Sequence, residues 1–299
     1  MGARNRASVR ELGDLLREHR EAAGLTLRDL APKLGRSIAH LHRIETGVRG
    51  CTSETEVVHY LATCGARYQD VERLIKVCRE AADDRGYWIA PHGQWMTDSL
   101  RSLIFHEATA ERCVNYEPEV IPGLLQTEPY IRSFFAREDI SESDRDAWVR
   151  ARMERQRILF RNNPAKFTFF VHERALRLEV GDYRTMAEQL LAMVFFSDQR
   201  NITIRVVPSA TRHRGLFGGS FLLLTYPRFR SLVFLDGLVT GLFIEDPEYV
   251  TAYRSLLPQI AKAALSAGES RVLFAELADE YDRAEGSWDD ECQVAQEQL

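Results

Sequence analysis

Residues 20–47, REAAGLTLRDLAPKLGRSIAHLHRIETG, constrain this chain more than any other stretch, because they spell two short helices around a glycine turn. Thr26 stands where an N-cap is needed, ahead of Leu27, Leu30, Ala31 and Leu34, which recur with a helical period. Gly35 falls where the backbone must take a positive φ to leave that helix. Ser37 is placed to cap a second helix in which Leu41 and Ile44 share one face, and Gly47 ends it. The opposite face gathers Ile38, Ala39, His42 and Arg43. A helix that buries a narrow stripe and turns small and basic residues outward suits insertion into a DNA major groove.

Residues 9–66 resemble the Xre-type, phage-repressor-like helix-turn-helix domain, a five-helix module. The likeness is carried by LxxLA (Leu27, Leu30, Ala31), by Leu34-Gly35, and by the Ser37-to-Gly47 block ending RIETG. It implies that Arg20, late in the first helix, pairs with Glu45 at the end of the recognition helix, so both serve structure rather than base reading. The residues themselves nominate Arg43 for a bidentate contact to a guanine edge, with a phosphate contact as the alternative. His42 is expected to face DNA, and His40 to meet a phosphate or solvent. Ile38 and Ala39 either touch a thymine methyl or simply fit the groove. Arg36 and Arg49 flank the helix as phosphate partners or as solvated charges, and the backbone around Thr26 and Ser37 adds amide donors.

Charge is distributed unevenly. The chain of 299 residues has a formal net charge of −5, yet its first fifty residues hold ten Arg and Lys against six Asp and Glu. A basic end on an acidic body fits nucleic-acid contact confined to that end. The length predicts two domains, and 45% hydrophobic residues suffice for packed cores. Arginine outnumbers lysine 35 to 4, which reflects GC-rich coding more than phosphate recognition. The five cysteines are scattered without CxxC, and no histidine pair has zinc-finger spacing, so neither a disulfide framework nor a metal or other cofactor is expected. No uncharged apolar run reaches 18 residues and the start lacks an apolar signal core; a soluble, cytoplasmic protein is expected, with no membrane partner.

The expected fold is mainly α with an α+β part. Residues 1–82 form the five-helix module, 83–97 a hinge rich in Gly, Pro and turn residues, 98–284 a mixed α+β domain with a mainly antiparallel sheet, and 285–299 an acidic tail that frays. Tyr87, Trp88 and Trp95 make the hinge too apolar to swing freely. Helices are predicted over 98–109, 128–137, 142–162, 183–196, 247–265 and 271–284, and strands over 110–116, 166–172, 201–207, 220–226 and 231–236. Residues 98 to about 280 resemble a domain of uncharacterised function that follows an Xre-type module in actinobacterial antitoxin-like regulators. VIPGLLQTEPYI (120–131), RMERQRILF (152–160), FVHERALRLEVG (170–181), ITIRVVP (202–208) and GSFLLL (219–224) carry that likeness. It implies a transcriptional regulator, often encoded beside a small partner protein, and assigns no catalytic or ligand residue.

Other features favour plain structural readings. Six arginines between Arg145 and Arg161 interleave with acids and read as a solvated, salt-bridged helix face. His106-Glu107 and His172-Glu173 do not extend to HExxH, so caps or buried hydrogen bonds are expected there. GLFGGS (215–220) lacks a phosphate-loop lysine, and Ser220 sits in no GxSxG elbow. The sequence therefore points to a non-enzymatic regulator that binds double-stranded DNA as a homodimer. A small-molecule sensor, and an antitoxin that sequesters a small partner while regulating its own synthesis, are the alternatives.

Overall fold

The computed structural model describes residues 6–48, 53–83, 85–91, 98–136, 141–211, 219–237 and 240–297, the last dozen by backbone alone. Five helices come first: α1 (Ala7–Ala22), α2 (Leu27–Leu34), α3 (Ile38–Glu45), α4 (Glu54–Thr63) and α5 (Tyr68–Ala82). Their shared core is built from the periodic apolar positions Leu12, Leu16, Leu30, Leu41, Ile44, Leu61 and Leu74, each almost fully buried. Local chemistry sets the ends. Ser53 accepts from the Glu56 amide to begin α4, and Gly24, Gly35, Gly47 and Gly65 each take a positive φ where the chain turns.

A seven-stranded sheet follows: β1 (Tyr87–Pro91), β2 (Arg112–Glu117), β3 (Lys166–His172), β4 (Ile202–Val207), β5 (Phe221–Thr225), β6 (Leu232–Asp236) and β7 (Thr240–Ile244). Its order is β1-β7-β6-β5-β2-β3-β4. β2–β3 and β3–β4 pair in parallel, whereas the β1–β7, β6–β7, β5–β6 and β2–β5 ladders are antiparallel, as expected for a mainly antiparallel mixed sheet. Parallel neighbours require long connections, here through α7 (Glu128–Phe134) and α8 (Glu142–Gln156), and then through α9 (Glu173–Arg177) and α10 (Tyr183–Phe196). Side chains alternate across the strands. Phe167, Phe169 and Val171 face one core with α6 (Asp98–Thr109), α10 and α12 (Ala267–Glu297), while Phe170, Phe221 and Leu223 face another beneath α11 (Pro247–Ala263).

The sequence expectations need amending in three places. The stretch read as a hinge contributes strand β1, with Trp88 and Ala90 turned into the core and Ile89 outward, so its aromatic content reflects sheet burial; Trp95 lies outside the described residues. The acidic tail expected to fray continues α12 to Glu297, because Ala, Glu and Gln favour helix and no proline interrupts it. The arginine-rich helix is not a solvated face throughout. Arg155 makes a paired contact with Glu107 of α6, 2.7 Å at both bonds, and Arg152 lies over the Phe135 ring. Glu107, 48 residues away in sequence, supplies the charge that draws Arg155 inward.

The helical module is anchored to the sheet through the first turns of α1. Glu245, fully buried just past β7, accepts from Arg6 Nε at 2.6 Å and from the Ala7 amide at 2.5 Å. Its carboxylate thus sits at the N-terminus of α1, where the helix dipole favours negative charge. One turn on, Glu11 accepts from Ser102 of α6 and meets His106 Nε2 at 3.2 Å.

Candidate nucleic-acid interface

The turn between α2 and α3 is fixed by side-chain caps. Thr26 and Asp29 form a reciprocal capping box: the Asp29 amide donates to Thr26 Oγ1 at 3.3 Å, and the Thr26 amide donates to Asp29 Oδ2 at 2.9 Å. The Thr26 hydroxyl, which donates to Asp29 Oδ2 at 2.6 Å, and then the Thr26 amide hold the Asp29 carboxyl below its ordinary range. Gly35 leaves α2 at φ 62°, and Ser37 Oγ accepts from the His40 amide at 3.1 Å to begin α3. The hydroxyls of Thr26 and Ser37 are thereby committed to caps, so both residues belong to the scaffold of the turn.

α3 is held from behind by Leu41 and Ile44, both buried. At its end, Arg20 forks onto Glu45 with bonds of 2.7 and 2.8 Å, and Tyr60 donates its hydroxyl to the same carboxylate. Arg20 also donates to the Leu25 carbonyl at 2.8 Å, so one guanidinium joins α1, the following turn and α3. The Glu45 bond raises Arg20 further above its usual pKa, while burial, then the Glu45 bond, pushes the Tyr60 phenol upward. This clamp is the arrangement that the family resemblance implied. α1 approaches α3 so closely that a Cβ on Gly13 would fall 2.3 Å from the Ile44 carbonyl oxygen.

The outer face of α3 is clear. Ile38, Ala39, His42 and Arg43 are all exposed, Ile38 by 44%, and the Arg43 guanidinium meets no carboxylate among the described residues. His40 departs from the expected position facing a phosphate or solvent: it is half-buried with Nε2 3.0 Å from Glu56 Oε1. Arg36 Nε reaches the same oxygen at 3.3 Å while its side chain stays half-exposed. The Ser53–Glu56 cap therefore has a tertiary role: Glu56 at the start of α4 gathers the two basic groups flanking the start of α3. The His40 ring is drawn from the outer face because a carboxylate within hydrogen-bond reach outweighs exposure. Arg49 lies outside the described residues.

The two His-Glu pairs are built into the fold. His106 is fully buried against Glu11 and Arg10, Glu107 holds Arg155, and His172 Nδ1 accepts from the Arg174 amide at 3.1 Å to cap α9.

A capped glycine turn with a back-braced second helix and an unobstructed outer face defines a helix-turn-helix module, here carried on an α+β C-terminal domain. Residues 11–87 match the family described as a helix-turn-helix domain. Residues 100–276 match the domain of unknown function DUF5753, and the chain belongs to that family. No curated protein matches the sequence. Among solved structures, TrmBL2, an archaeal chromatin protein with a novel mode of DNA binding, is 12% identical over 86% of this chain and 98% of its own. Its TM-score of 0.28 is too low for the likeness to bear on fold or ligand. No described helix is long and apolar enough to cross a membrane.

Proposed function

We propose that this protein is a sequence-specific, double-stranded-DNA-binding transcriptional regulator of the Xre type. The observation that carries the reading is the contrast on α3: the inward charges Arg20 and Glu45 are tied to each other, whereas Ile38, Ala39, His42 and Arg43 form a continuous exposed face. Arg43 reads a base edge, His42 supports it, and Ile38 and Ala39 fit the groove wall. Arg36, still half-exposed, and Arg49 contact phosphate on either side, and the backbone at Thr26 and Ser37 contributes amide donors. His40 positions Arg36 through Glu56 rather than touching DNA.

One such module presents a single short helix, so two copies reading half-sites about 10 bp apart would supply the needed affinity. We therefore propose a homodimer, acting in the cytoplasm without enzymatic activity. Likeness to antitoxin-like regulators supports a small partner protein that engages the DUF5753 domain and shifts DNA occupancy. Selection of binding sequences from random DNA by the purified chain, followed by gel shift of the selected site, tests the core of the reading. Arg43→Ala should weaken the selected site by about 5- to 150-fold, the worth of one bidentate base contact, while leaving salt-sensitive non-specific binding in place. Equal discrimination between selected and random DNA in wild type and variant would remove Arg43 from base reading. Failure to enrich any sequence would remove the regulator.

A further inference from the structure

Where the helical module meets the sheet, α1, the end of α3, α6 and the β5–β6 turn border an open cleft of about 410 Å³. Its size falls in the range of about 300–1,000 Å³ common to small-molecule sites. Arg10 lines it and is only 7% exposed. The guanidinium lies 4.0 Å from the Tyr226 ring centroid, 4.8 Å from Phe229 and 5.1 Å from Phe105. Those aromatic faces stabilise a cation, but they do not neutralise it.

No carboxylate lies within ion-pair distance of Arg10 among the described residues, and its Nε has no hydrogen-bond partner there. Its polar contacts are Nη2 to His106 Nδ1, at 3.2 Å, and a hydrogen bond with the Tyr226 hydroxyl, neither of which carries a negative charge. Burial keeps His106 below its ordinary pKa, so the ring is neutral, with Nε2–H directed to Glu11 and Nδ1 accepting from Arg10. A buried cation with an incomplete donor inventory is costly unless something else satisfies it.

The remaining charges sharpen the ligand class. Asp14 is held by Arg17, and Glu45 by Arg20 and Tyr60. Arg228, on the β5–β6 turn, is exposed at the cleft with no carboxylate partner among the described residues. The uncommitted charge is therefore positive, and the walls beside it are aromatic. We propose that this cleft binds a small organic anion with a flat apolar body, an aryl carboxylate, its carboxylate meeting Arg10 and Arg228 and its ring lying against Phe105 and Phe229. Because Glu45 and Thr46 of the recognition-helix end also border the cleft, such a ligand bridges the two parts of the chain.

This site stands on the cleft alone and holds whether or not the chain binds DNA. Isothermal titration of the full chain, without DNA, with 2-naphthoate tests it, against 2-naphthamide and acetate as the neutral and ring-free controls. Saturable one-to-one binding of naphthoate, with the amide weaker by about tenfold or more, is expected. Since Arg10 is part of the packing, the decisive variant is the exposed Arg228→Gln, which should weaken naphthoate by a similar factor without moving the urea midpoint. Absence of saturable binding at millimolar naphthoate, equal binding of the amide, or wild-type affinity in Arg228→Gln each overturns the assignment.

Discussion

Replacing Glu245 by alanine should be among the most damaging single changes in this protein. The Glu245 side chain is fully buried, and that of Arg6 is 5% exposed; they meet at 2.6 Å. The second carboxylate oxygen receives the Ala7 amide, and Ser8 Oγ lies 3.4 Å from the first. Removing the carboxylate leaves a buried guanidinium facing the Ala81 and Asp83 carbonyls, and strips the start of α1 of its acceptor. Breaking a buried pair from one side costs about 3–5 kcal/mol, because the remaining charge keeps its desolvation penalty. Glu245→Gln keeps the shape and one acceptor and should fall between that loss and zero. The double variant Arg6→Met with Glu245→Leu removes both charges and should recover most of the loss. Urea unfolding followed by tryptophan fluorescence is a suitable assay, since Trp88 is buried and stacks on Phe243 of β7, 5.0 Å between ring centroids. A loss below about 1 kcal/mol in Glu245→Ala, or a double variant as unstable as the single one, would refute the claim that the paired charges hold the anchor.

Gly13→Ala should destabilise the helical module by about 1–3 kcal/mol, because the new methyl meets the Ile44 and Glu45 carbonyl oxygens and α1 must move away from α3; thermal melts of the full chain measure it, and an unchanged melt would mean the helices are not so closely packed. Two groups, the buried His106 and the half-buried Glu117, should tilt the pH dependence of stability in opposite directions. Burial pushes Glu117 up to about 7, so between about 4.5 and 7 the folded chain holds a proton that the unfolded chain has released, and stability falls as pH rises. Burial holds His106 below 6.5, so as pH falls through that value the unfolded chain takes up a proton the fold resists, and stability falls toward acid. Urea midpoints for wild type, Glu117→Gln and His106→Gln over this range separate the two slopes; a variant with the wild-type slope excludes its group.

The parts of this fold legible in the sequence are those whose cause is local. Thr26, Gly35, Ser37 and Gly47 each do what their residue type does within four positions, which is why the helix-turn-helix and the outward set on α3 could be placed in advance. β1 and β7 were hidden for the same reason. Each is five residues long and includes Pro91 or Gly241, so the local signal is that of a turn, while the strand conformation comes from the pairing of Trp88 with Phe243 and its neighbours. The withdrawal of His40 needed a carboxylate sixteen positions away, and the inward turn of Arg155 needed one forty-eight away. The cleft was invisible because its aromatic and basic walls come from α1, from α6 and from a turn more than two hundred residues after α1.

The anchor on Glu245 also imposes an order on biosynthesis. Arg6 and Ala7 leave the ribosome early, but the carboxylate that completes the first turn of α1 is encoded 239 and 238 residues later. At about 5–20 residues per second that interval is roughly 12–48 s, during which the nascent chain holds a recognition helix whose supporting helix is unfinished at its root. The helical module has its own core, but the root of α1 gains its acceptor only once the residue just past β7 has been made, so module and sheet are joined last.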